Sequence, residues 1–199
     1  MEGPVLHALL PPGPNVSLYD YPPVSRAVDE AVFRREHAAP GRPVTLAEAV
    51  VVEDADVTNT GGCEVLELMS SGPRVALSIP CRASLPLLVV QLKDLGRFCG
   101  LEVDVVDLNG QPLRICASNH QTAVRATATE VTMPLALTSG WNFIRLDLVD
   151  LCRRAFGSAY GSTTCVTVTA TCRVARIWLE CRPFADAELP PFLQTIARD

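Results

Sequence analysis

From residue 64 onward, apolar and polar positions alternate in short runs. In Leu101-Glu102-Val103-Asp104-Val105 the apolar side chains fall on one face of an extended chain and both acids on the other. Runs at 64–69, 74–79, 87–93, 101–107, 113–118, 130–137, 141–146, 164–170 and 172–181 read as strands in the same way. Gly61-Gly62, Ser71-Gly72-Pro73, Gly100 and Asn109-Gly110 separate several of them. Asn109-Gly110 predicts a two-residue hairpin, because both residues tolerate positive φ. One helix interrupts the strands near 148–156. Asp147 is its cap, Leu148, Leu151, Cys152 and Ala155 form a buried stripe, and Gly157 is its stop. Many short strands with turns between them define an all-β fold, an antiparallel β-sandwich or barrel.

The first residues follow a different rule. Eight of the sixteen prolines stand at 4, 11, 12, 14, 22, 23, 40 and 43. Proline lacks an amide donor and fixes φ, so no central strand is expected there. Residues 1–45 read as a proline-rich N-terminal arm with a short helix over about 26–37, which Ser25 caps and Pro40-Gly41 ends. Residues 46–185 form the predicted β-sandwich domain. Residues 186–199 form a C-terminal tail with a short helix after Pro190 and Pro191.

Composition narrows the chemistry. With 199 residues, 48% of them apolar and 20% charged, the chain can bury a core of its own. No apolar run reaches the ~18 residues of a membrane span. Glu2 near the start argues against a secretory signal, so a cytosolic location with reduced thiols is expected. The net charge of −5 argues against a generic nucleic-acid binder. The eight cysteines stand at 63, 81, 99, 116, 152, 165, 172 and 181 without a C-x-x-C pair, and His7, His37 and His120 lie far apart. No metal site and no cofactor are therefore expected. Gly61-Gly62 lacks the lysine and the strand–helix context of a phosphate loop. Sixteen arginines stand beside a single lysine, Lys93, which permits fixed contacts with acidic partners.

Several motifs carry a resemblance. Ala117-Ser118-Asn119-His120-Gln121-Thr122 with Arg125, Thr132-Met133-Pro134, Gly140-Trp141-Asn142, and Arg153-Arg154-Ala155-Phe156-Gly157 with Tyr160 stand in one order, followed by Cys172-Arg173 and Glu188-Leu189-Pro190. Upstream, Leu85-Pro86-Leu87-Leu88-Val89 and Glu102-Val103 fit too. In this order and spacing, over residues 64 to 192, the chain resembles the cilia- and flagella-associated protein 20 family, also called the Bug22 family. The resemblance implies a β-sandwich similar to jelly-roll carbohydrate-binding modules and a non-enzymatic role in the axoneme. It implies a microtubule inner protein at the doublet inner junction, where the B-tubule closes onto the A-tubule. The implied partners are α/β-tubulin, a parkin co-regulated protein-like neighbour and other microtubule inner proteins, with no nucleic acid and no membrane. The family's usual apolar start is replaced by the proline-rich arm, its basic balance by a net acidic one, and its tyrosine after Ser-Asn by His120. The chain therefore reads as a divergent paralogue.

Arg125, Arg153 and Arg154 are the candidate contacts to acidic tubulin residues, since guanidinium pairs well with carboxylate. Asn119 and Gln121 are candidates too, although residues of this kind usually satisfy backbone groups in a turn. Trp141 is read as a sheet anchor rather than a sugar platform. The alternative function is a soluble β-sandwich module that binds a ligand or glycan. A third reading, a thiol enzyme, would need Cys116 or Cys152 to be reactive; Cys116 and His120 lie about 13 Å apart if the strand between them is extended.

Overall fold

The computed structural model describes residues 5–11, 13–14, 18, 50–56, 63–69, 76–169 and 171–195. The expected helix over 26–37 lies outside them. In chain order the strands are β1 (Leu6–Leu10), β2 (Val50–Asp54), β3 (Cys63–Leu68), β4 (Ala76–Ala83), β5 (Leu87–Asp94), β6 (Gly100–Asp107), β7 (Pro112–Ser118), β8 (Arg125–Ala126), β9 (Glu130–Pro134) and β10 (Gly140–Asp147). Helix α1 (Leu148–Phe156) follows, then β11 (Tyr160–Thr169) and β12 (Cys172–Glu180). Two sheets form a sandwich. The first has the order β10-β5-β12-β3-β2 with β1 added beside β12, and the second β4-β11-β6-β7-β9-β8. The fold is thus the all-β sandwich that the alternation predicted.

Between the sheets, Leu88, Val90 and Leu92 of β5 and Ile177 and Leu179 of β12 meet Leu101, Val103 and Val105 of β6, Ile115 of β7 and Val166 and Val168 of β11. The acids alternating with them on β6, Glu102 and Asp104, face outward and stay half-buried. The β6–β7 hairpin forms at the predicted place, but with a three-residue loop, Leu108-Asn109-Gly110, instead of two, since Asp107 pairs with Gln111. Gly110 has φ +83° and its N–H reaches the Asp107 carbonyl, while the Asp107 carboxylate accepts from the N–H groups of Asn109 and Gln111.

Three features differ from the sequence expectation. First, the proline-rich start supplies a strand: β1 lies between Pro4 and Pro11 and pairs with β12 from Leu6↔Glu180 to Leu10↔Ile177. Proline removes a donor only at its own position, so it brackets this five-residue strand instead of preventing it. Because β3 covers only Cys172–Val174 of the same β12 edge, β1 completes the rest. Leu9 and Leu10 enter the central core. Second, β7 and β9 run parallel, because β8 and the exposed residues 121–129 carry the chain back before β9 begins. Third, the C-terminal helix shrinks to two 3-10 turns, Asp186–Glu188 and Pro191–Leu193. Phe184, Leu189 and Leu193 from this segment cover Val89 and Trp178 on the outside of the first sheet. Arg176 fastens it, giving one N–H to the Phe192 carbonyl at 3.3 Å and another to Gln91 at 2.8 Å.

Close packing explains one glycine. A side chain at Gly161 would place its Cβ 2.8 Å from the Val106 carbonyl oxygen, where β11 bulges against β6.

Candidate functional site

Helix α1 is built as its sequence specifies. The Asp147 carboxylate accepts from the Asp150 N–H at 2.9 Å, and Gly157 ends the helix at φ +66° with its N–H on the Arg153 carbonyl. Leu148 and Cys152 are buried, and Leu151, Ala155 and Phe156 pack on the core. The opposite face presents both candidate arginines, Arg153 and Arg154, with side chains 75% and 77% exposed. They share one acceptor, Asp150, at 2.5 and 3.3 Å. The bond from Arg153, and then that from Arg154, holds the Asp150 carboxyl below its usual range. Two cations on one carboxylate leave positive charge over on this surface.

The other candidates lie elsewhere. Arg125 is exposed on β8, the outermost strand of the second sheet. Gln121 is exposed in the connection before it. Asn119 is used inside the protein. Its Oδ1 accepts from the Cys99 N–H at 3.0 Å and its Nδ2 donates to the Arg97 carbonyl at 2.7 Å, which ties the β7 exit to the β6 entry. The structure therefore groups Arg153 with Arg154 on α1, and sets Arg125 and Gln121 on the β7–β9 connection.

Cys116 and Cys152 are held protonated. Burial first, with Glu102 and Glu130 adding to it, pushes Cys116 up to about 12; burial pushes Cys152 up to about 11. His120 packs edge-on against Phe98, with ring centroids 5.2 Å apart. The seven cysteines whose side chains are described are all free, and Cys181 is exposed.

Two polar networks on the outside of the first sheet gave no local sequence signal. Asp54 is buried, and its carboxylate takes Lys93 Nζ at 2.9 Å, Arg173 Nη1 at 2.7 Å and Trp141 Nε1 at 3.4 Å. Burial alone would raise the Asp54 pKa. The bonds from Arg173, Lys93 and the Asp56 N–H outweigh it and hold the carboxyl well below the usual carboxylate range. Further along the same face, Glu180 is fully buried and accepts from Trp178 Nε1 at 2.9 Å and Arg145 Nε at 3.0 Å. Trp141 packs with Val52, Val65 and Ala175, as a sheet anchor does.

Among the described residues, no three His, Cys, Asp or Glu side chains converge as a metal site would require, and no helix is long and apolar enough to cross a membrane. What the fold presents is a two-sheet sandwich with ion-paired faces and arginines displayed on one helix. Comparison with known proteins gives this class a family. The CFA20 domain matches residues 73–196, and the chain belongs to that family. It is 38% identical over 148 residues to Cilia- and flagella-associated protein 20 of Chlamydomonas reinhardtii, covering 70% of this chain and 75% of that one. It is 34% identical over 151 residues to the Paramecium tetraurelia protein of the same name, with the same coverage. A solved chain described as "Structural analysis of an exo-beta-agarase" aligns with TM-score 0.33 and 12% identity over 78% of this chain and 26% of that one, which is too loose to carry weight.

Proposed function

We propose that this protein is a non-enzymatic component of the cilium or flagellum, built into the axoneme as a microtubule inner protein. It contributes to the inner junction of the doublet, binding α/β-tubulin, a parkin co-regulated protein-like neighbour and other inner proteins. The observation that carries this reading is the match to relatives named for cilia and flagella over most of the chain, with the CFA20 domain spanning residues 73–196. The physical form suits the role. A lattice component needs a rigid body and repeated contacts of modest strength, because repetition multiplies avidity without strengthening any one contact. Arg153, Arg154 and Arg125 supply exposed guanidiniums for carboxylates on an acidic filament.

The deciding experiment is localisation of the tagged protein in demembranated axonemes, followed by cryo-electron microscopy of the doublets. The expected result is a regular longitudinal density at the inner junction in contact with tubulin. A protein extracted completely with the membrane and matrix fraction would overturn the reading.

A further inference from the structure

The edge strands among the described residues are not equivalent. Of those on the second sheet, β4 carries an exposed Pro80 and a register shift against β11, and β8 is two residues long. On the first sheet, β2 has five residues, and β1 has five with a register shift against β12 and Pro11 directly after it. These are the usual ways of blunting an edge against unwanted strand pairing. The remaining edge, β10, has eight residues in unbroken register with β5, from Gly140↔Asp94 to Asp147↔Leu87, and contains neither proline nor lysine. Among the described residues no strand covers its other side.

The hydrogen-bond phase shows which groups that side presents. Leu148 N–H donates to the Pro86 carbonyl, and these two residues continue the β10–β5 register. In an antiparallel pair, bonded positions alternate, so Leu146, Ile144 and Asn142 direct their backbone groups toward β5. Trp141, Phe143 and Arg145 direct theirs away from the sheet. The side chains at the centre of this edge are also presented. Phe143 is 50% exposed and leans edge-on against Trp178, with centroids 5.7 Å apart, while the Arg145 guanidinium stands 5.4 Å from the Phe143 ring. Arg145 commits Nε to buried Glu180, and its side chain stays about a third exposed, with the other guanidinium N–H groups still able to donate. The strand then runs into α1, where Arg153 and Arg154 share one carboxylate.

We propose that the open edge of β10 docks an extended segment of a partner protein by strand addition. The segment places an apolar side chain opposite Phe143, an acidic one two residues away opposite Arg145, and further acids near Arg153 and Arg154. Main-chain bonds supply the affinity and the alternate side chains the selectivity. Charge favours this occupant over a second copy: Arg145, Arg153 and Arg154 are exposed along this edge against one exposed carboxylate, Asp147, and a second copy would bring the same excess of arginine. The inference concerns an edge and its charge, not a cellular location. A failed peptide experiment therefore leaves the ciliary proposal standing, and a failed localisation leaves this one standing.

The test uses the full chain and fluorescein-labelled decapeptides on the repeat Thr-Val-Thr-Glu, which sets Val and Glu two residues apart on one face. One control replaces each Glu with Lys, and another keeps the acids but carries proline at two of the valines. Fluorescence anisotropy is expected to show the acidic peptide binding at least about tenfold more tightly than either control, with the margin shrinking at high salt. Amide hydrogen exchange at Phe143 and Arg145 slows when it binds, a response that attachment elsewhere would not give. Phe143→Pro removes an outward donor while sparing the β5 ladder, and is expected to weaken binding about tenfold or more. Should that variant fail to fold, the paired change Arg153→Gln with Arg154→Gln lies on an exposed surface and is expected to flatten the salt dependence with thermal unfolding unchanged. Equal binding of all three peptides, no binding, or unchanged exchange at Phe143 and Arg145 overturns the proposal. Self-association that Phe143→Pro abolishes overturns the acidic partner in favour of a second copy.

Discussion

The outer faces of the two sheets solve the same problem in opposite ways. On the first sheet, β5 and β12 are buried on both sides: their inner residues form the central core, and their outer residues Val89 and Trp178 lie under Phe184, Leu189 and Leu193. The carboxylates on that face, Asp54 and Glu180, are buried with their cations attached. The second sheet has no such apolar layer among the described residues. Its outer face carries Ser78 bonded to Thr167 at 2.9 Å, Asp104 paired with Arg114 at 2.7 Å, and the half-buried Cys116 and Cys165. A strand covered on both faces reads as a continuous apolar run, as Leu87-Leu88-Val89-Val90 does; one covered on a single face alternates, as Leu101 to Val105 does. The difference teaches where stability resides. The outside of the first sheet is a second core, and the outside of the second is a surface.

Substitutions can break or sharpen this contrast. The largest effect is expected at Trp178→Ala, which empties the second core and leaves Glu180 with one donor fewer; urea unfolding should show a loss of about 3–5 kcal/mol. Cys116→Ala, on the outside of the other sheet, should cost under ~1 kcal/mol by the same measurement. Comparable losses at the two sites would abolish the distinction.

Next comes Asp54→Ala, which strips Lys93 and Arg173 of their shared carboxylate and should cost ~2–3 kcal/mol at neutral pH. Because folding holds the Asp54 pKa below its usual range, its contribution is complete above the ordinary carboxylate pKa, about 4, and is lost as pH falls below that. Wild-type stability should therefore decline between neutral pH and pH ~3 more steeply than that of the Asp54→Ala variant. Parallel pH curves would remove Asp54 from the account.

A smaller effect is expected at Thr167→Val, which deprives the Ser78 hydroxyl of its partner and should cost about 1 kcal/mol in the same unfolding assay. The mildest test leaves stability untouched. Among the seven described thiols, iodoacetamide should label exposed Cys181 first in the native protein, while Cys116 and Cys152, protonated at neutral pH, wait for unfolding. Mass spectrometry of the labelled peptides reads this directly, and fast labelling at Cys116 would revive a nucleophilic role for it.

How much of this was legible follows the range of the signal. Alternation is local, so β3 to β7, β9 to β12 and helix α1, down to its Asp147 cap and Gly157 stop, could be read from neighbouring residues, while β2 and the two-residue β8 were not read. β1 was missed because the prolines around Leu6–Leu10 spoke louder than the five residues between them. Helical spacing sets Arg153 and Arg154 about 100° apart and so required at least one of them to be exposed; the structure exposes both. The use of the Asn119 amide in joining β7 to β6 needed the fold, as the contact crosses 20 residues. The Asp54 network joins residues 39 and 119 positions apart, a separation at which sequence pattern carries no information without an alignment. The open edge of β10 was hidden for a related reason. Its alternating side chains mark a strand, but whether a strand lies at the rim of a sheet is decided by topology.

Lys93 gives the network around Asp54 a practical consequence. It is the chain's one lysine, and its ammonium is bound to Asp54 and Asp56 with the Trp141 ring 5.9 Å away. The bond to Asp54, with that to Asp56, holds the ammonium above its usual pKa, so the neutral amine that attacks an acylating reagent is scarce. Folded, this protein offers almost no side-chain amine to activated esters, to aldehyde fixatives, or to enzymes that acetylate lysine or attach ubiquitin to it. A map of its neighbours built on lysine cross-linking would pass over it even where it touches them. Carboxylate-directed coupling, or a photoreactive group installed at Phe143, would find it.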